Sequence, residues 1–111
     1  MDRALKKVDI LRHELKALRY LLDTFHEGGV RAEELVARED FQTDESRLIY
    51  DAIVNSKSRA EAEARIAELE LEDVDVKSFL RLSGQHYYAY PALVRQRAVA
   101  IRRGELEVED S

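Results

Sequence analysis

Apolar residues recur along the start of the chain at Ala4, Val8, Leu11, Leu15, Leu18, Leu22 and Phe25. Alternating steps of four and three are the spacing of a heptad seam on one helix face. Leu5 and Leu21 widen that face. The pattern predicts a first helix from Asp2 to His26, about 36 Å long at the α-helical rise. That is longer than a small core needs. The N-terminal half can project onto a partner, or the whole seam can lie along the chain's own core. Gly28-Gly29 predicts a left-handed cap that ends the helix.

Beyond the glycines the period stays helical. A short second helix is expected over Val30–Arg38 with Leu35 and Val36 inward, and Phe41 as a loop anchor. Thr43 or Asp44 can cap a third helix running to Asn55, because a side-chain oxygen there accepts from first-turn amides. Its expected core residues are Leu48, Ile49, Ala52 and Ile53. Ser58-x-x-Glu61 is a capping-box pattern. It opens an Ala-rich fourth helix with Ala62, Ile66 and Leu69 on one face, a thin contact that predicts a peripheral place. Asp73 or Asp75 caps a fifth helix carrying Val76, Phe79 and Leu80, and Gly84 is expected to stop it. An aromatic knot follows, His86-Tyr87-Tyr88-Ala89-Tyr90-Pro91. Proline disfavours helical geometry at the residue before it, here Tyr90, but suits a helix's first turn. The last helix is expected to reach Arg103, with Val94, Ala98 and Ile101 on one face and Gly104 closing it. No run alternates long enough to predict a strand.

Composition narrows the class. The chain has 111 residues, one proline and four glycines, which suits helices joined by short connections in one domain. There is no cysteine, so disulfides and thiolate metal sites are excluded. That usage suits a reducing cytoplasm. No apolar run approaches a membrane span, and the start is too charged for a signal peptide. The net charge of −5 argues against the whole chain as an electrostatic nucleic-acid binder. Charge is segregated at the end, however. Arg95–Arg103 holds four arginines and no acid, whereas Glu105–Ser111 holds four acids and no base. This acidic tail is expected to be disordered.

Three segments carry a family resemblance. Glu34–Ile53 reads ELVAREDFQTDESRLIYDAI, Glu14–Asp23 reads ELKALRYLLD, and Tyr88–Arg102 reads YAYPALVRQRAVAIR. Together they resemble the N-terminal domain of bacterial replicative DNA helicases of the DnaB type. That domain has an E-L-x-x-x-E-D-F turn followed by an H-R-x-I-F/Y-x-A-I helix. It also has an E-x-x-x-L-G-x-L-L-D helix and a closing Y-x-x-I-V-R-E-R-A-V-x-R helix. The chain departs from the pattern at Arg19, where the family has glycine. It departs again between Ile53 and Tyr88, a link that is short and lacks the family's G-x-x-I-D and G-G motifs. The related helicase-binding C-terminal domain of bacterial primases, of the DnaG type, shares the fold and also lacks that glycine.

The resemblance implies a protein-interaction domain of DNA replication in the primosome, at the replicative helicase–primase interface. In those helicases the closing helix is half of a hairpin that meets other subunits and primase. The helicase motor is not in the chain: none of the four glycines precedes a lysine, so no phosphate loop is present. The domain itself is therefore expected to be non-catalytic and to need no cofactor and no metal. His13, His26 and His86 are too scattered to supply the converging ligands of a metal site.

Other chemistry weighs less. Arg81 and His86 fit the R-x4-H-x-Y pattern of HEPN-type toxin ribonucleases, in which arginine steadies phosphate charge and histidine moves a proton. Leu82 stands where asparagine is common, and Gly84 is expected to break the helix between them. The plainer reading is a surface arginine and a loop histidine. Tyr87, Tyr88 and Tyr90 can stack bases, meet a protein partner or pack a loop on the core. The arginine helix suggests, as a further alternative, a small helical DNA-binding regulator. A solvated basic face is its default.

These readings predict an all-α orthogonal bundle of about six helices. It has a long first helix and a C-terminal hairpin-like helix, in a single domain over residues 1–104 with a tail over 105–111. The expected core is Leu15, Leu18, Leu22, Phe41, Leu48, Ile49, Ile53, Phe79 and Leu80. The expected contacts to helicase or primase are Tyr87, Tyr88, Val94, Arg95, Arg97 and Ile101. A homodimer through the first or last helix is a further possibility. No membrane is expected, and direct nucleic-acid binding is not.

Overall fold

The computed structural model describes residues 4–25, 32–82 and 84–109. The expected cap at Gly28-Gly29, the outermost residues of the first helix and the final residues of the tail lie outside them. The architecture is a mostly helical bundle. The elements are β1 (Ala4–Lys6), α1 (Lys7–Asp23), α2 (Ala32–Leu35), a 3-10 turn (Arg38–Asp40), α3 (Asp44–Val54) and α4 (Arg59–Ala67). They continue with α5 (Val76–Arg81), a second 3-10 turn (Gln85–Tyr87), α6 (Tyr90–Arg102) and β2 (Glu107–Glu109). α1 is the central element and packs against α3 and α6.

The two strands correct the tail expectation. β1 and β2 pair in parallel, with Ala4 opposite Glu107 and Lys6 opposite Glu109. The acidic stretch is thus held beside the start of the chain, and α1 begins at Lys7 rather than Asp2. The helix is about 25 Å long at the α-helical rise. Its buried side is Ile10, Leu11, Glu14, Ala17, Leu18, Arg19, Leu21 and Leu22, with Leu15 partly buried against the same core. Val8, a seam position, is 55% exposed.

α3 starts where expected, with the Thr43 side chain accepting from the Ser46 amide. Its inward face is rotated, however. Ser46, Ile49, Tyr50 and Ile53 are buried at steps of three and four, whereas Leu48 is 44% exposed and is not a core residue. The reason is Tyr50. Its hydroxyl donates to the Val36 carbonyl at 2.7 Å, and its ring packs 5.3 Å from that of fully buried Phe41. Satisfying that hydroxyl turns the helix toward Tyr50 and away from Leu48.

α4 is capped by Ser58, which accepts from the Glu61 amide, and buries Ala62 and Ile66 completely. Asp75 caps α5, from which Phe79 enters the core while Leu80 is partly buried. α6 begins one residue earlier than the proline rule predicts. Tyr90 is its first residue, and Pro91 lies within the first turn, where a missing N–H costs nothing.

Gly84 does not stop α5, which ends at Arg81. It is a point of contact instead. A Cβ there would lie 2.6 Å from the Arg19 carbonyl carbon and oxygen. Its amide donates to Asp23 Oδ2. Asp23 also accepts from Arg19 at 2.8 Å and from Arg59 at 2.7 Å. Arg19 is only 4% exposed and lies 6.0 Å over the Phe79 ring. The position that departs from the helicase pattern is therefore built into the junction of α1, α5 and the second 3-10 turn.

Glu14 is buried as well, one of three buried charges with Arg19 and Asp40 among the described residues. Its carboxylate accepts from the Gln42 amide at 2.6 Å, the Thr43 hydroxyl at 2.7 Å and the Ser46 hydroxyl at 3.0 Å. These bonds pin the turn before α3 onto α1. Burial raises the Glu14 pKa above the ordinary carboxylate value, and the three donors oppose that shift.

Candidate functional site

The outward side of α6 forms a groove of about 570 Å³. Pro91, Arg95, Val99 and Arg103 make one row along the helix, and Ala92, Gln96 and Ala100 make the adjacent row. Steps of four place each row on one ridge of the helix. Twelve steps at the α-helical rise give a face about 18 Å long. Glu34 and Leu35 of α2 close one wall, with Tyr88 and Glu105 completing the lining. Tyr88 is 73% exposed, an aromatic body left in water. Small side chains at Ala92 and Ala100 let a docked element approach the α6 backbone.

The charges on this face are uneven. Arg95 and Arg103 are exposed and have no carboxylate partner among the described residues. Arg102, one residue earlier, points elsewhere and meets Asp40 at 3.5 Å. That carboxylate also accepts from the Ala37 amide at 2.9 Å. α6 is thus fixed to the first 3-10 turn on one side and leaves its arginine row free on another.

The expected contact residues lie in four places. Tyr88 and Arg95 line the groove. Val94 is 2% exposed and belongs to the core, so no partner reaches it in the folded chain. Ile101 is partly buried outside the groove. Tyr87 and Arg97 lie on a different side, where α6 meets α1. There the Lys16 ammonium sits 5.6 Å from the Tyr87 ring centroid and 5.2 Å from that of Tyr90. Tyr87 and Tyr90 meet edge to face at 5.5 Å. His13 packs 5.7 Å from Tyr90, and its Nδ1 contacts the Arg97 guanidinium. Burial, and then the charges of Arg97 and Lys16, lower the His13 pKa, against a weaker upward pull from Asp9. A neutral imidazole is therefore the acceptor for Arg97.

Sequence reading missed the second wall of the groove, Glu34 and Leu35, because it depends on how α2 folds back. The rows on α6 follow from helical spacing alone, whereas Val94 and Ile101 lie on other faces of the helix. Arg81, at the end of α5, and His86, in the second 3-10 turn, are both exposed. No contact joins them among the described residues. No cluster of three or more His, Asp or Glu side chains suited to a metal ion occurs among the described residues. No helix among them is long and apolar enough to cross a membrane. The chain matches no family model, no curated protein and no solved structure.

Proposed function

We propose that this chain is a non-catalytic protein-interaction domain of DNA replication, docking at the replicative helicase–primase interface through the outward face of α6. The observation that carries the reading is the groove itself. It joins an exposed tyrosine, two arginines without carboxylate partners among the described residues and the small side chains of Ala92 and Ala100 along one helix. Tyrosine and arginine are the side chains that most often anchor protein interfaces. The ridge spacing fits a partner helix laid along α6, with apolar residues facing Ala92, Val99 and Ala100 and acids facing Arg95 and Arg103. The replication setting rests on the likeness of Tyr88–Arg102 to the closing helix of the helicase N-terminal domain.

The test is titration of this protein with replicative helicase and with primase from the same source, followed by calorimetry. One of the two is expected to bind. Tyr88→Ala with Arg95→Glu should weaken that binding roughly tenfold or more while leaving the fold intact, since both side chains are exposed. Binding of neither protein by the wild type would refute the proposal.

A further inference from the structure

At the α1–α6 junction two cations, Lys16 and Arg97, have no carboxylate partner among the described residues. Every arginine with a described ion pair faces a carboxylate, as Arg38 faces Asp51 and Arg65 faces Glu61. Lys16 and Arg97 do not. The described contacts of Lys16 are the faces of two tyrosine rings. The described partner of Arg97 is the Nδ1 of His13. A ring quadrupole and an imidazole hold a cation in place without cancelling its charge. The only acid among the charges that act most on His13 is Asp9, and that group already pairs with Arg12 at 3.7 Å. The net charge of −5 belongs to the chain as a whole. At this junction the local sign is the reverse.

Geometry gives the patch a second property. Lys16, Tyr87, Tyr90, His13 and Arg97 are each partly exposed, so cations and aromatic rings share one surface. Neighbouring rings and cations are the means by which proteins hold single strands: rings meet bases, and cations meet phosphates. A duplex fits less well, because its bases are stacked inside and offer nothing to a tyrosine. An acidic polypeptide is the competing occupant, and displacement by polyglutamate separates the two.

We infer that the Lys16–Tyr87–Tyr90–Arg97 surface is a single-stranded nucleic-acid contact, separate from the α6 groove and independent of its function. Lys16 and Arg97 hold successive phosphates, and Tyr87, the ring not packed against His13, meets a base. With so few phosphate contacts the binding is weak and steeply salt-dependent.

The experiment is fluorescence anisotropy of labelled oligothymidylate with the whole chain at low salt, with amide shifts recorded on the same mixture. The expected result is binding that weakens as salt rises, with shifts centred on His13, Lys16, Tyr87 and Arg97. Lys16→Gln with Arg97→Gln should reduce affinity about tenfold and make the salt slope shallower by about 0.7 for each cation removed. Circular dichroism checks that the double variant folds. If it does not, Lys16→Gln alone decides, because Lys16 is partly exposed and has no ion pair among the described residues. Absence of binding by the folded wild type, binding unchanged in the variant, or shifts confined to other surfaces would each overturn the inference. Equal displacement by polyglutamate would overturn it too, in favour of an acidic protein partner.

Discussion

Gly84→Ala is expected to be among the more damaging small substitutions in the chain, and the reason is distance alone. Gly84 has φ −94° and ψ 2°, a conformation open to any L-residue. The added methyl, however, would sit 2.6 Å from the Arg19 carbonyl and 2.8 Å from Asp23 Oδ2. Ordinary carbon contacts lie near 3.5–4.0 Å. The obstacle is helical backbone at the centre of the bundle, so α1 cannot move aside cheaply. The second 3-10 turn must lift instead, and its Gly84 N–H then loses the Asp23 carboxylate. Losing a hydrogen bond to a charged group costs about 1.5–3 kcal/mol, and overpacking costs about 1–3 kcal/mol. The two overlap, because movement that relieves one incurs the other. A net loss of about 2–4 kcal/mol follows. For a chain of this length that corresponds to a Tm lowered by roughly 8–16 °C. Gly104→Ala is the control. Gly104 has φ +76° and nothing within 4 Å of an added Cβ, so its cost is conformational only, about 1 kcal/mol. Urea unfolding of both variants, followed by circular dichroism, measures the difference. If Gly84→Ala proves no more costly than Gly104→Ala, the close contact between Gly84 and α1 is refuted.

Two other perturbations address single elements. Ile49→Ala should cost about 2–5 kcal/mol in urea unfolding and Leu48→Ser under about 0.5 kcal/mol; equal costs would show that the inward face of α3 is misassigned. Glu14 has a folded pKa raised by burial, so its contribution is fully present below the unfolded value near 4.5 and is lost as pH rises through the folded value. The stability of the wild type relative to Glu14→Gln should therefore fall between acid and neutral pH, and a relative stability that rises over that window would contradict the burial argument.

Much of the fold was legible because helix caps are local chemistry. Thr43, Ser58 and Asp75 each need only a side-chain oxygen and a free amide a few residues on. The positions that were not legible depend on partners far along the chain. Leu48 has every local qualification for the core, but the Tyr50–Val36 and Ser46–Glu14 hydrogen bonds set α3 with Leu48 facing outward. Glu14 reads as a solvated acid beside the seam until Gln42, Thr43 and Ser46 fold over it. Arg19 and Gly84 reveal their relation only when α1 and the second 3-10 turn meet. The same holds for the candidate site. The arginine row on α6 is visible in the sequence, but the wall supplied by α2 is not. Lys16 and Arg97 are ordinary surface charges until the bundle brings α1 and α6 together.

The pairing of β1 with β2 has a mechanical meaning. Its partners are about a hundred residues apart, and closing so long a loop in an unfolded chain costs roughly 4 kcal/mol. Three residue pairs cannot meet that cost alone, so the strands join only after the helices have brought them together. Because the strands are parallel, tension on the two ends of the chain pulls β1 and β2 in opposite senses along their length. The bonds between them are then loaded together, in shear, rather than opened one at a time. A short pair of strands thus acts as a strap across the bundle, oriented to resist pulling.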